Sequence, residues 1–115
     1  MTQSHPMIKK RRDSIVDKNE VIEKVKAYKA LLNNHFNMNS VYLFGSYAKD
    51  NYSEDSDIDV AVVVEQADGD FFAVNPLLWK LRRQIDDRIE PIIIEKKYDD
   101  ANFLDEVIRT GIEIK

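Results

Sequence analysis

Two aspartates set into the start of an apolar run constrain this chain more than anything else in it. Ser56-Asp57-Ile58-Asp59 leads straight into Val60-Ala61-Val62-Val63-Val64. The run is β-branched and lacks helical spacing, which predicts a buried strand over residues 57–64. Asp is among the residues least favoured in strands, so the two acids need a reason to be there. Strand side chains alternate with a period of two, so Asp57 and Asp59 point to the same face. Two carboxylates side by side repel, and one is pushed toward protonation unless a cation or hydrogen-bond donors compensate. A divalent metal is a natural compensator, because hard cations such as magnesium take carboxylate oxygen and keep positions for water and phosphate.

Ten residues upstream, Gly45-Ser46 ends a second apolar run, Val41-Tyr42-Leu43-Phe44. This predicts a strand over 41–44 that turns at Gly45 into a short helical turn. Gly lets the backbone bend or approach a ligand closely, and Ser46 is a good N-cap whose neighbouring N–H groups would face an anion. One end of a sheet would then present a phosphate cradle beside a metal-binding pair. Taken alone, Gly-Ser is a common turn pair, and Ser56-Asp57 can simply end a loop with solvated acids. The combination is far rarer: average residue usage gives this pattern in roughly one chain of this length per thousand.

Gly45-Ser46-Tyr47-Ala48, followed after the ten-residue gap by Ser56-Asp57-Ile58-Asp59, resembles the signature of the polymerase beta-like nucleotidyltransferase superfamily. Within it, the chain is similar to the minimal nucleotidyltransferases (MNT), the small antitoxin partners of HEPN-domain ribonucleases. The resemblance runs from about Val41 to the C-terminus. It implies an α/β (α+β) fold, a small mixed sheet with helices packed mainly on one face. It also implies a nucleotidyltransferase using ATP and two magnesium or manganese ions. Asp57, Asp59 and Glu90 are the expected catalytic acids and metal ligands, and Gly45, Ser46, Lys49 and Ser56 the expected nucleotide- and phosphate-binding residues. The chain departs from the pattern twice. Lys49-Asp50 stands where many members have Arg-Gly, and the third carboxylate, usually Asp, is Glu90.

The rest of the chain reads as support for this stretch. Its 115 residues suit one domain, placed at 17–115. Residues 1–16 carry Lys9-Lys10-Arg11-Arg12 and are expected to form a basic, solvated, partly disordered arm, the alternative being contact with RNA or an acidic partner. A net charge of −4 argues against direct nucleic-acid binding by the whole chain. There is no cysteine, which fits a reducing cytoplasm. The longest apolar run is far too short for a membrane span.

Asp17-x-x-Glu20 has the form of a capping box, and Val21, Ile22, Val25, Tyr28, Leu31 and Leu32 follow at helical spacing. His35 is expected at the helix end rather than in catalysis. A second helix is predicted from Asn75-Pro76, cap plus first-turn proline, after a turn near Phe71. On it, Trp79 is expected to pack at the helix edge, and Arg82 and Arg83 to pair with Asp86 and Asp87 four residues on. Ile89-Glu90-Pro91-Ile92-Ile93-Ile94 predicts a third strand, with Glu90 on the face of Ile92 and Ile94. If that strand lies beside the second, Glu90 meets Asp57 and Asp59. Pro91 also allows an edge strand with a solvent-facing acid. Asp99 or Asp100 is expected to cap a last helix with Phe103, Leu104, Val107 and Ile108 inward, ended by Gly111, before a short strand over 112–114.

In nucleotidyl transfer an acceptor hydroxyl attacks the α-phosphate of a nucleoside triphosphate and pyrophosphate leaves. Two metals about 4 Å apart can clamp the attacking and leaving oxygens. Asp57 and Asp59 would bridge them, Glu90 would complete the nucleophile side, and Gly45-Ser46 would hold the outer phosphates. The resemblance favours transfer of AMP from ATP to a tyrosine of a HEPN partner. The alternatives are a small-molecule enzyme of the aminoglycoside-modifying kind, whose extra helical domain this sequence lacks, and a non-enzymatic antitoxin that masks its partner. Homo- and hetero-oligomers are both open.

Overall fold

The computed structural model describes residues 17–53, 55–65, 71–99 and 102–115. The expected basic arm over 1–16, the Asp17 side chain expected as a cap, Gly69 in the expected loop, and Asp100 lie outside these.

Four strands form one mixed sheet. They are β1 (Ser40–Phe44), β2 (Ile58–Val64), β3 (Ile89–Glu95) and β4 (Ile112–Glu113), in the order β3-β2-β1-β4. β1 runs antiparallel to both β2 and β4, whereas β2 and β3 are parallel. The parallel pair needs a crossover, and α2 (Phe71–Leu81) with a 3₁₀ turn over Arg82–Gln84 supplies it.

The alternation of β1, β2 and β3 divides the core in two. Val41, Leu43, Ile58, Val60, Val62 and Ile89 line one face, where they pack on Val21, Val25, Tyr28 and Leu32 of α1 (Asp17–Asn33) and on Leu78 and Leu81 of α2. Burying each such large side chain contributes about 1.5–3 kcal/mol. The Tyr28 hydroxyl, whose pKa burial raises against the pull of Arg82, stays protonated and donates to the Leu78 carbonyl at 2.7 Å. On the other face Ala61, Val63 and Ile94 meet Leu104 and Val107 of α3 (Phe103–Thr110). Among the described residues, α1 and α2 cover one face and the short α3 covers the other.

Several local expectations need correction. α2 starts at Phe71 rather than Asn75, so Pro76 lies inside it. Proline brings no N–H for the bond back to the residue four before, but Val74, Leu77 and Leu78 pack on the core from this helix and hold it together. On α3 only Leu104 and Val107 are buried, while Phe103 and Ile108 are 39% and 51% exposed. A helix of eight residues lying flat on a sheet buries one narrow stripe. Asp99 does cap α3, accepting from the Phe103 and Leu104 N–H groups at 3.1 and 2.7 Å. Among the described residues no helix is long and apolar enough to cross a membrane.

Candidate active site

The end of the sheet formed by the C-terminus of β1 and the N-termini of β2 and β3 gathers the acids. In the β2–β3 register Asp59 stands directly beside Glu90, and in the β1–β2 register Asp59 faces Phe44. Neighbouring strands lie about 4.8 Å apart, so two side chains at one level on one face are in reach of each other. Both readings of Glu90 therefore hold in part. β3 is an edge strand carrying Pro91, and its acid still meets Asp59. Asp57 falls one residue before β2 and is exposed there.

The three acids act on one another electrostatically. Burial raises the pKa of Asp59, and the charge of Asp57 raises it further. Glu90 is raised first by burial, then by a hydrogen bond to Asp57 and by the charges of Asp57 and Asp59, while Arg82 pulls it down. Among the described residues no group of three His, Cys, Asp or Glu is arranged, as it stands, to hold a metal ion. The donor set still suits one: all three ligands would be hard carboxylate oxygens, and their mutual repulsion is what a divalent cation relieves.

Gly45 is required at this site on two counts. It adopts φ +76°, a left-handed backbone that L side chains rarely take. A Cβ there would also stand 2.1 Å from Asp59 Oδ2, so the carboxylate is seated against the bare Cα. The expected short helix beyond it is a single turn over 45–50, closed by Lys49 N–H to the Gly45 carbonyl and Asn51 N–H to the Ser46 carbonyl, both 3.1 Å. Ser46 is half-buried next to Gly45, and Lys49 is exposed. Asp50 has φ 63° and pairs with Lys18 at 2.7 Å. Asp is one of the few residues besides Gly that tolerates this left-handed backbone. Ser56, expected near the nucleotide, closes the loop by accepting the Ser53 N–H at 2.8 Å.

The expected pairing of Arg82 and Arg83 with Asp86 and Asp87 does not occur for Arg82, nor for Asp86. The helix ends at Leu81, which breaks the four-residue spacing such pairs require. Arg82 instead lies 4.7 Å over the Trp79 ring and donates to the carbonyls of Asp87 and Ile89. It thereby fixes the backbone just before Glu90. Asp86 accepts from Lys24 at 2.7 Å and from three nitrogens of Arg88. Burial would raise its pKa, but these donors outweigh that and hold it well below the usual range. Arg88 Nη1 also donates to the Tyr47 hydroxyl at 3.0 Å. This network was not legible in the sequence, because its members are up to 62 residues apart.

The titration shifts predict a stability profile for the metal-free protein. Asp59 and Glu90 hold protons more tightly folded than unfolded, so stability rises as the pH falls from neutral through their raised values. Asp86 acts the other way, and its contribution is lost below about pH 4, where the unfolded carboxylate protonates. Melting in chelator across pH 3–8 should therefore give a maximum on the acid side of neutral, and Asp59→Asn should flatten the rise. A melting temperature that falls steadily from pH 7 to pH 5 would contradict it.

Known proteins are similar to this chain. A protein assigned as a protein adenylyltransferase in Methanocaldococcus jannaschii is 32% identical over 99 residues, which are 83% of this chain and 99% of that one. A toxin–antitoxin solved with AMP-PNP superposes with a TM-score of 0.59 at 26% identity, over 80% of this chain and 72% of that one. A crystal structure from Sulfolobus solfataricus assigned as a nucleotidyltransferase shares the fold, with a TM-score of 0.60 at 20% identity over 86% of this chain and 83% of that one. Residues 23–115 match the family described as Polymerase beta, Nucleotidyltransferase, and this chain belongs to that family of nucleotidyltransferases.

Proposed function

We propose that the chain transfers AMP from ATP to a hydroxyl of a protein acceptor, a tyrosine of a partner ribonuclease of the HEPN kind, and so acts as an antitoxin. The observation that carries the reading is the register pairing of Asp59 with Glu90, with Gly45 seated against the Asp59 carboxylate and the charge of Asp57 acting on both acids. The M. jannaschii relative supports AMP and a protein acceptor, and the likeness to a toxin–antitoxin supports the kind of partner.

Asp57, Asp59 and Glu90 would hold magnesium or manganese, which would supply positive charge to the transferring phosphoryl group. The turn at Gly45-Ser46 orients the outer phosphates, so that pyrophosphate leaves in line with the attacking hydroxyl. Glu90 binds a proton more readily than an ordinary carboxylate and takes the one that the hydroxyl gives up. Arg82 acts against that rise.

Incubation with ATP, magnesium and the candidate ribonuclease should raise the ribonuclease mass by one or more AMP groups. The modified ribonuclease should stay silent after this chain is removed. Silencing that needs no ATP and ends on removal would make the chain a masking module, since a covalent adduct persists while masking follows the dissociation constant.

A further inference from the structure

The pairing of Phe44 with Asp59 holds Gly45 beside the acids, but the turn that continues from Ser46 must be held as well. Ten residues separate Ser46 from Asp57, and a connection of that length has no stiffness of its own. The Tyr47 ring, next to Ser46, is fully buried, and it stacks on Tyr52 with centroids 4.5 Å apart. Its hydroxyl reaches the Ser53 carbonyl at 3.5 Å on one side and receives the Arg88 guanidinium on the other. Arg88 is itself clamped, because Asp86 accepts from its backbone N–H at 2.8 Å, Nε at 3.2 Å and Nη2 at 3.0 Å. The Arg88 carbonyl accepts the Ile58 N–H at 2.9 Å, between the two motif aspartates. One residue is thus bonded to both halves of the motif, and it sits two positions before Glu90.

We propose that Arg88 is a positioning residue of the transfer site. Through the Tyr47 hydroxyl it fixes the phosphate-binding turn, and through its own carbonyl it fixes the start of the acid-bearing strand. It touches no reacting atom. Its effect falls on the part of the nucleotide that the Gly45-Ser46 turn contacts, namely the β- and γ-phosphates. The inference rests on the nucleotidyl-transfer reading, and it adds a residue that acts on triphosphate recognition through another side chain.

The test compares binding of a non-hydrolysable ATP analogue with binding of AMP, both with magnesium, in Tyr47→Phe, Arg88→Met and the double variant. Tyr47→Phe keeps the ring and its stacking, so it removes the link without opening the core, even if Arg88→Met fails to fold. Each folded variant should bind the ATP analogue about tenfold more weakly and AMP within twofold of the unaltered protein. The double variant should be no weaker than the weaker single one, because both changes cut the same link. Equal losses for AMP and the ATP analogue would mean a general loss of structure and overturn the proposal, as would unchanged binding in Tyr47→Phe or fully additive losses. An unaltered protein that binds neither nucleotide would overturn the nucleotidyl-transfer reading itself, and this proposal with it.

Discussion

Gly45→Ala is expected to remove nearly all transfer activity. The new methyl group would stand 2.1 Å from Asp59 Oδ2 and 3.0 Å from its Cγ, so either the carboxylate turns away or the turn lifts. Neither movement is free. The backbone at φ +76° disfavours any L side chain by about 1–2 kcal/mol, which adds to the clash. A shift of about 1 Å between the phosphate-binding turn and the acids is enough to reduce turnover about a hundredfold. The variant should therefore melt several degrees lower yet still fold, and lose far more activity than stability. Activity within threefold of the unaltered protein would mean that the contact between Gly45 and Asp59 has no part in catalysis.

Removing the charges of Asp57 and Asp59 should have the larger effect. If these carboxylates hold the cation, saturating magnesium or manganese should raise the melting temperature by roughly 10 °C, from about 2.7 kcal/mol at a hundred times the dissociation constant. Asp57→Asn with Asp59→Asn should abolish that rise. The same variant should melt higher than the unaltered protein in chelator, because Asp59 is held in its charged form against burial and against Asp57. Transfer should fall by roughly a thousandfold or more. Stabilisation without metal together with inactivity with metal is a pair of signs that damage to the fold would not produce.

The site was legible to the extent that it lies in strands. A period of two places Glu90 on the face of Ile92 and Ile94 and puts Asp57 and Asp59 on one face, although β2 begins at Ile58 and leaves Asp57 just before it. What it could not provide was the β2–β3 register, which depends on how α2 crosses over. The proline signal misled at that helix. Phe71, Val74, Leu78, Leu81 and Ile85 recur at helical spacing across Pro76, but proline is also compatible with a first turn, and that reading cuts the helix short at Asn75. The expected pairs of Arg82 and Arg83 with Asp86 and Asp87 likewise need the helix to continue, whereas the switch to 3₁₀ geometry at Arg82 turns Arg82 toward Trp79 and the carbonyls before Glu90. Phe103 meets Phe44 of β1 edge-to-face at 5.8 Å yet stays 39% exposed, and Ile108 is 51% exposed, so periodicity overstates the buried face of α3. The Tyr47–Arg88–Asp86–Lys24 network has no sequence signature, since its links from Lys24 to Asp86 and from Arg88 to Tyr47 are tertiary hydrogen bonds and only Asp86–Arg88 is local.

Transfer with ATP labelled separately at the α- and γ-phosphates tests the central claim most directly. The candidate ribonuclease is incubated with each label, with magnesium or manganese, and with either the unaltered chain or the Asp57→Asn, Asp59→Asn variant. The unaltered chain should place the α-label on the partner and leave the γ-label in free pyrophosphate, whereas the variant should place neither. Label from the γ-position on the partner, or α-label transferred equally well by the variant, would contradict the assignment of Asp57, Asp59 and Glu90 as a nucleotidyl-transfer site.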